Sequence, residues 1–396
     1  MSSTTTKPIS SSTLFTPLSF GKDLTLSSRI AMPPLTRFRA NAAHIPTPKM
    51  IEYYSQRANV PGSLLITEGT FISPSAGGFP HIPGIWSDEQ IAAWKPVVDA
   101  VHAKGSFIYM QLWALGRAAN KSVADEEGFT IMGASPILQT RDGEDCVVPK
   151  EMSHEEISQK VQEFAAAARN AVLKAGFDGV EIHGANGYLV DQFIQDVTNT
   201  RGDEYGGSVE NRGRFALEVV KAVADAVGPE RVGLRLSPWT TYQGMKMDSV
   251  EKIEEQFGYV IREVQKLGTG YVHLVRAAIS GNTEIPGEHH GEEETLDFAV
   301  QAWGKERPLI IAGGLTPETA RQLVEEEYPG YPVVVAFGRH YVSTPDLVFR
   351  VKEGIPLNPY DRSTFYTFES EVGYLDQKFS KEFEAVYGPE GKGGLN

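Results

Sequence analysis

Cysteine is nearly absent: one residue, Cys146, stands in a chain of 396. That excludes an intramolecular disulfide and a cysteine-based metal cluster, and it sets the expectation of a reducing, cytoplasmic environment. Cations are outnumbered, with 37 Lys and Arg against 51 Asp and Glu, a net charge of −14. Binding a polyanion needs a basic face, so neither nucleic acid nor an anionic membrane is expected as a partner. No apolar run approaches the roughly 20 residues of a membrane span. The polar start MSSTTTKPISSST also lacks a signal-peptide core. No Gly-x-Gly-x-x-Gly follows the first β-rich run, which argues against an open dinucleotide-binding sheet.

Eight short apolar runs are present instead: 29–32, 63–67, 107–111, 179–183, 232–236, 271–275, 309–312 and 333–337. Near-continuous apolar runs suit strands buried on both faces. Helical periodicity lies between them. Ile157, Val161, Phe164, Ala168 and Val172 share one helix face, as do Phe215, Val219, Ala222 and Val223. Ser87 with Gln90 and Ser153 with Glu156 fit capping boxes. Thr316-Pro317 and Thr344-Pro345 fit an N-cap followed by a first-turn proline.

Strand–helix alternation repeated eight times gives an α/β fold, a TIM (β/α)₈ barrel. Residues Leu14 to Ser28, with the turn Gly21-Lys22-Asp23, are expected to form an N-terminal hairpin plugging its bottom. The span from Leu112 to Met152 is too long for a simple connection and is expected as an extended lid insertion after strand 3. One barrel domain over 14–387 is expected, with flexible tails at 1–13 and 388–396.

The active site of such a barrel lies at the C-terminal ends of its strands. Polar and aromatic residues gather there. Gly313-Gly314 and Gly338-Arg339 end consecutive runs and suit a phosphate, since glycines let backbone N–H groups approach an anion and Arg339 adds a charge. The stretch His183-Gly-Ala-Asn186-Gly-Tyr188 pairs two side-chain donors with a phenol. His183 and Asn186 can polarise a carbonyl oxygen. Tyr188, with an ordinary pKa near ~10, can protonate a carbanion or enolate. The bland alternative is a strand-to-helix turn with a satisfied histidine. No second histidine or carboxylate has ligand spacing there, so no metal is expected. Arg235 interrupts an apolar run. It either pairs with an internal acid such as Glu181 or faces a bound ring and stabilises negative charge on it. Cys146 is expected to be a loop thiol rather than a nucleophile.

At these residues the sequence resembles the old yellow enzyme family, over about Leu14 to Tyr387. The resemblance rests on Pro34-Leu35-Thr36-Arg37, Thr67 to Ser73, Gln111-Leu112-Trp113, His183 to Leu189, Arg201 to Arg212, Phe337-Gly338-Arg339 and Tyr360 to Tyr366, in order. It implies tightly but non-covalently bound FMN. Pro34, Leu35, Thr36, Gly69, Gln111, His183 and Arg235 would contact the flavin, and Gly313, Gly314, Gly338 and Arg339 its phosphate. Thr36 would tune reduction. His183 and Asn186 would grip a substrate carbonyl, and Tyr188 would donate the proton. Trp113, Tyr242, Phe365 and Tyr366 would wall the pocket. The run from Arg201 to Arg212 is expected to build a rigid loop. His289 and His290, within Gly281 to Glu294, are expected to line or gate the mouth.

The resemblance further implies an ene-reductase. NADPH or NADH gives hydride to flavin N5. An enone or enal then takes it at the β-carbon, and Tyr188 protonates the α-carbon. A monomer or homodimer is expected. Rival readings are an isomerase or reductase acting on a specific enal in secondary metabolism, a flavin-free sugar-phosphate barrel, and a non-catalytic FMN-binding barrel. An isomerase of the family would be expected to lack the tyrosine at 188, which is present.

Overall fold

Eight short parallel strands close on themselves: β1 Ile30–Met32, β2 Leu64–Ile66, β3 Phe107–Trp113, β4 Gly179–Gly184, β5 Val232–Leu236, β6 Tyr271–Val275, β7 Leu309–Ala312 and β8 Val333–Ala336. Each pairs with the next, and β8 pairs with β1, so the barrel has no edge. The structure, a computed structural model, describes residues 9–139, 145–281, 283–284 and 293–388. Strand β3 runs two residues past the expected end, to Trp113, because Thr70–Phe71 pairs beside Leu112–Trp113.

The surrounding helices follow the strands: α1 Pro48–Arg57, α2 Asp88–His102, α3 His154–Arg169, α4 Val209–Val227, α5 Val250–Lys266, α6 Asp297–Trp303, α7 Pro317–Gln322 and α8 Leu347–Glu353. Both capping boxes form, at Ser87/Gln90 on α2 and Ser153/Glu156 on α3. Thr316 caps α7, with Pro317 in its first turn. The expected Thr344-Pro345 cap does not form. Thr344 closes the short helix Gly338–Ser343, its hydroxyl accepts the Asn358 N–H at 3.1 Å, and Asp346 stands at the start of α8.

Two apolar layers result. The outer one lies between strands and helices and includes Ile157, Phe164, Phe215 and Val219. The inner one fills the barrel with Ala31, Leu64, Ile66, Tyr109, Tyr271, Ile310 and Val334. The expected hairpin is present, Leu18–Phe20 against Leu24–Leu26, and its Phe20 and Leu26 join that inner layer as a plug. Of the tail expected over 1–13, residues 1–8 lie outside the described structure. Within residues 9–13, the Ser12 hydroxyl and the Thr13 N–H both donate to Glu325 Oε1, at 2.6 Å and 2.9 Å. At the other end, Gly388 closes a helix over Lys381–Tyr387, and 389–396 lie outside the described residues.

The lid insertion is built from helix Lys121–Glu127 and a two-residue parallel pairing of Met132–Gly133 with Lys150–Glu151. Arg201 ties it to the barrel. Its buried guanidinium donates to Ala134 O at 3.1 Å, Met152 O at 2.8 Å and the Asp203 carboxylate. The arginine holds Asp203 well below the usual carboxylate range. No helix among the described residues is long and apolar enough to cross a membrane.

Candidate active site

A cavity of about 850 Å³ opens at the C-terminal ends of the strands. It is lined by Pro34, Leu35, Thr36, Gln111, Trp113, His183, Asn186, Tyr188, Arg235 and Tyr242, and by Gly313, Gly314, Gly338, Arg339, Phe365 and Tyr366. These are all the expected site residues but one. Gly69 does not line it. A Cβ there would lie 2.5 Å from the Trp113 indole, so this glycine makes room for the wall rather than for the cavity.

The turn after β4 is shaped by its own backbone. Asn186 has φ 58° and Gly187 φ 77°, both left-handed. Asparagine tolerates that region and glycine favours it. A Cβ on Gly187 would also meet Met245 Cγ at 2.8 Å. Buried partners then fix the turn. The Asn186 N–H donates to Ser237 Oγ at 2.8 Å, and the Gly187 N–H to Asp191 Oδ2 at 2.8 Å. Gln192 Nε2 donates to Gly187 O at 2.8 Å and to Leu115 O at 2.9 Å, which binds the turn to the lid.

His183, Tyr188 and Trp113 pack as one group. The Trp113 ring stacks on His183 with centroids 5.8 Å apart and meets Tyr188 edge-on at 4.8 Å. His183 and Tyr188 meet at 4.9 Å. Burial pushes the His183 pKa well below the ordinary histidine value, and the Arg235 and His273 charges push the same way. The imidazole is therefore neutral. Its Nδ1 accepts the Ala185 N–H at 3.3 Å, so the ring proton sits on Nε2 and is free to donate. Asn186 Oδ1 and Trp113 Nε1 are buried without a hydrogen-bond partner among the described residues.

Arg235 sits on β5 between His183 on β4 and His273 on β6, in register with both. Burial lowers its pKa, and its Nε has no hydrogen-bond partner among the described residues. Glu181 does not take it up as a direct partner. The Glu181 Oε1 accepts Gln111 Nε2 at 2.9 Å, and Oε2 accepts Tyr271 Oη at 3.0 Å and His273 Nδ1 at 2.9 Å. Burial raises the Glu181 pKa, but His273, Arg235 and Tyr271 outweigh it and hold the carboxylate ionised. The alternative in which Arg235 merely satisfies an internal acid is thus not realised. Its guanidinium faces the cavity as an available cation. Such an orphaned cation, with a glycine cradle opposite, fits a planar ring that gathers negative charge and carries a phosphate.

The cradle is Gly313, φ 126°, and Gly314, φ 65°, where side chains would be strained, followed by Gly338 at the start of the helix Gly338–Ser343. Arg339 stands beside it, its Nη1 donating to Tyr360 Oη at 3.2 Å. The Thr36 hydroxyl lines the cavity with no hydrogen-bond partner among the described residues. Several lining residues escaped the sequence reading: Phe38, Phe79, Asn120, Asp145, His340, Arg362 and Phe368. Arg362 lies inside a motif quoted above, and Phe38 directly follows the motif that ends at Arg37. Phe79, Asn120 and Asp145 arrive through folding of the lid and its neighbours and carry no local signal. His289 and His290 lie outside the described residues.

The model of the NADH:flavin oxidoreductase / NADH oxidase family matches residues 13–358. Chanoclavine-I aldehyde reductase fgaOx3 of Penicillium roqueforti is 51% identical over 372 residues, 94% of this chain and 97% of its own. A probable inactive reductase, easA, of Epichloe festucae var. lolii is 48% identical, covering 95% and 97%. Among solved structures, the Old Yellow Enzyme of a Pichia species aligns with a TM-score of 0.85 at 38% identity, covering 94% of this chain and 95% of that one. Morphinone reductase in complex with tetrahydroNAD aligns with a TM-score of 0.81 at 38% identity, covering 93% and 98%. The chain belongs to this family of FMN-dependent oxidoreductases, and a nicotinamide is its hydride donor.

Proposed function

We propose that the protein is an ene-reductase that uses NADPH or NADH to reduce the activated C=C bond of an α,β-unsaturated aldehyde or ketone, in the cytoplasm, as a monomer or homodimer. The observation that carries this reading is that a neutral donor (His183) and a phenol (Tyr188) pack on Trp113 in a cavity also lined by the cation Arg235 and by Asn186, whose Oδ1 has no hydrogen-bond partner among the described residues. When bound, FMN supplies a two-electron carrier that passes hydride from a nicotinamide to an electrophilic carbon. Thr36, Gln111 and Arg235 would hold its ring without a covalent link, with Pro34 and Leu35 beside it. Gly313, Gly314, Gly338 and Arg339 would hold its phosphate.

The chain's own groups do the rest. His183 Nε2–H and the Asn186 amide hydrogen-bond the substrate carbonyl oxygen and draw electron density from the β-carbon. Tyr188 holds a proton for the α-carbon. Trp113, Tyr242, Phe365 and Tyr366 exclude water and position the alkene. The relatives named as reductases of chanoclavine-I aldehyde, and an aldehyde reductase FrzD of Cladobotryum, support an enal of secondary metabolism as the natural substrate. Steady-state NADPH oxidation with cyclohexenone and with a series of enals tests the reading. Turnover that requires the alkene supports it, and indifference to the alkene refutes it.

A further inference from the structure

A second cavity, of about 410 Å³, lies on the opposite face of the barrel, at the N-terminal ends of the strands. Arg29 directly precedes β1 and Pro332 directly precedes β8, and both line it. Lys305, just past the end of α6, and the turn Pro329-Gly330-Tyr331 form its sides. The chemistry of such a barrel belongs to the other end, so the reductase reading assigns nothing to this cavity.

Two cations meet there on one residue. Arg29 Nη1 donates to the Tyr331 carbonyl at 3.3 Å, and Lys305 Nζ lies 4.5 Å from the centre of the Tyr331 ring. In a chain with 51 acidic residues against 37 Lys and Arg, neither has a carboxylate within ion-pair distance among the described residues. The Arg29 Nε–H is buried with no hydrogen-bond partner among them, and burial lowers the pKa of the guanidinium. A partly desolvated guanidinium with unspent donors is stabilised by an anion that accepts them. One carboxylate, Glu325, lines the same cavity, but it is already engaged. Its Oε1 accepts the Ser12 hydroxyl and the Thr13 N–H, and its Oε2 accepts Arg321 Nη1 at 3.3 Å.

We infer that this cavity binds a soluble phosphate monoester, its dianion held by Arg29 and Lys305 and its organic body laid against Tyr331, Pro329 and Pro332. Two cations match the nearly two negative charges of a monoester at neutral pH. The planar fork of an arginine suits oxyanion geometry, and a lysine adds a point charge. The volume falls in the range of roughly 300–1,000 Å³ that holds small organic ligands, so it takes more than a bare phosphate. The net charge of −14 opposes approach to an anionic bilayer, which favours a free metabolite over a lipid headgroup.

The test is calorimetric titration of the FMN-loaded protein with phenyl phosphate at neutral pH and fixed ionic strength, with inorganic phosphate and phenyl sulfate as comparison probes. Bound flavin fills its own phosphate site, and an unchanged flavin spectrum shows that the probe stays out of the reductase cavity. The expected result is one phenyl phosphate per chain, bound more tightly than inorganic phosphate. Phenyl sulfate, with a single charge, binds at least about tenfold more weakly. Arg29→Gln and Lys305→Gln each weaken phenyl phosphate binding at least about tenfold, the share of one charge-assisted hydrogen bond, and Lys305→Arg retains it. Should Arg29→Gln not fold, Lys305→Gln, at an exposed position, decides alone. No saturable binding by the wild type, or wild-type affinity in Lys305→Gln, overturns the site. Binding that perturbs the flavin spectrum equally in wild type and variants places the probe in the reductase cavity and also overturns it. Co-sedimentation with phosphatidic acid vesicles, without binding of phenyl phosphate, overturns the soluble ligand.

Discussion

Gln111 on β3 donates its side-chain amide to Glu181 on the neighbouring strand β4 at 2.9 Å. That bond fixes which way the amide faces inside the cavity, and it leaves a buried carboxylate within the electrostatic reach of Arg235. Two opposite charges thus lie close to the cavity that would hold the flavin, Arg235 lining it and Glu181 buried behind. Removing each should move the flavin potential in opposite directions. Arg235→Ala makes the flavin harder to reduce, by at most on the order of 90 mV for a pair at ~4 Å and effective dielectric ~20. Glu181→Gln makes it easier to reduce. Spectroelectrochemical titration checks both, and shifts of the same sign would exclude the charge argument.

Tyr188→Phe removes the proton donor while keeping the ring that packs on His183 and Trp113. The rate of flavin reduction by NADPH is expected to stay within a few-fold. The rate of reoxidation by an enone should fall roughly 10²- to 10⁴-fold. Stopped-flow measurement separates the two half-reactions, and an equal loss in both would remove the assigned role.

His183→Ala combined with Asn186→Ala deletes both carbonyl donors. Phenol binding should weaken by at least about tenfold per lost charge-neutral donor pair, and the long-wavelength charge-transfer band should vanish. A phenol titration indistinguishable from wild type would count against the gripping pair.

Asp191, behind the catalytic turn, has its pKa raised by burial to about 7, although Gln195, the Gly187 N–H and Arg117 oppose the shift. Folded protein therefore keeps a proton that the unfolded chain loses near its ordinary value of 3.8. Its stabilising contribution is fully present below that value and is lost as pH rises through about 7. Asp191→Asn cannot titrate. It loses one acceptor at all pH values, but its stability relative to wild type should improve from pH 5 to pH 8. Urea unfolding at a series of pH values gives that difference, and a flat difference would show that Asp191 does not titrate as described.

Much of the barrel was legible because its signals are local. Apolar runs of strand length and the caps at Ser87 and Ser153 depend on neighbours within a few residues. The site was legible because strand ends converge in this fold, so His183, Arg235 and Gly314 needed only the correct strand. What stayed hidden depends on distant contacts or on unusual backbone. Gly69 is defined by the Trp113 ring 44 residues away. Phe38 and His81 adopt left-handed conformations that no propensity assigns to bulky side chains. The Thr344 cap failed because Asn358 claims its hydroxyl from outside the local segment.

The central claim is that one ring-binding cavity passes a hydride on to an alkene whose carbonyl is gripped by His183 and Asn186. Anaerobic stopped-flow on purified protein tests it most directly. The predicted result is one FMN per chain, released by heat, bleached by NADPH and recoloured by cyclohexenone but not by cyclohexanone. Protein that binds no FMN, or whose bleached flavin ignores cyclohexenone, would contradict it.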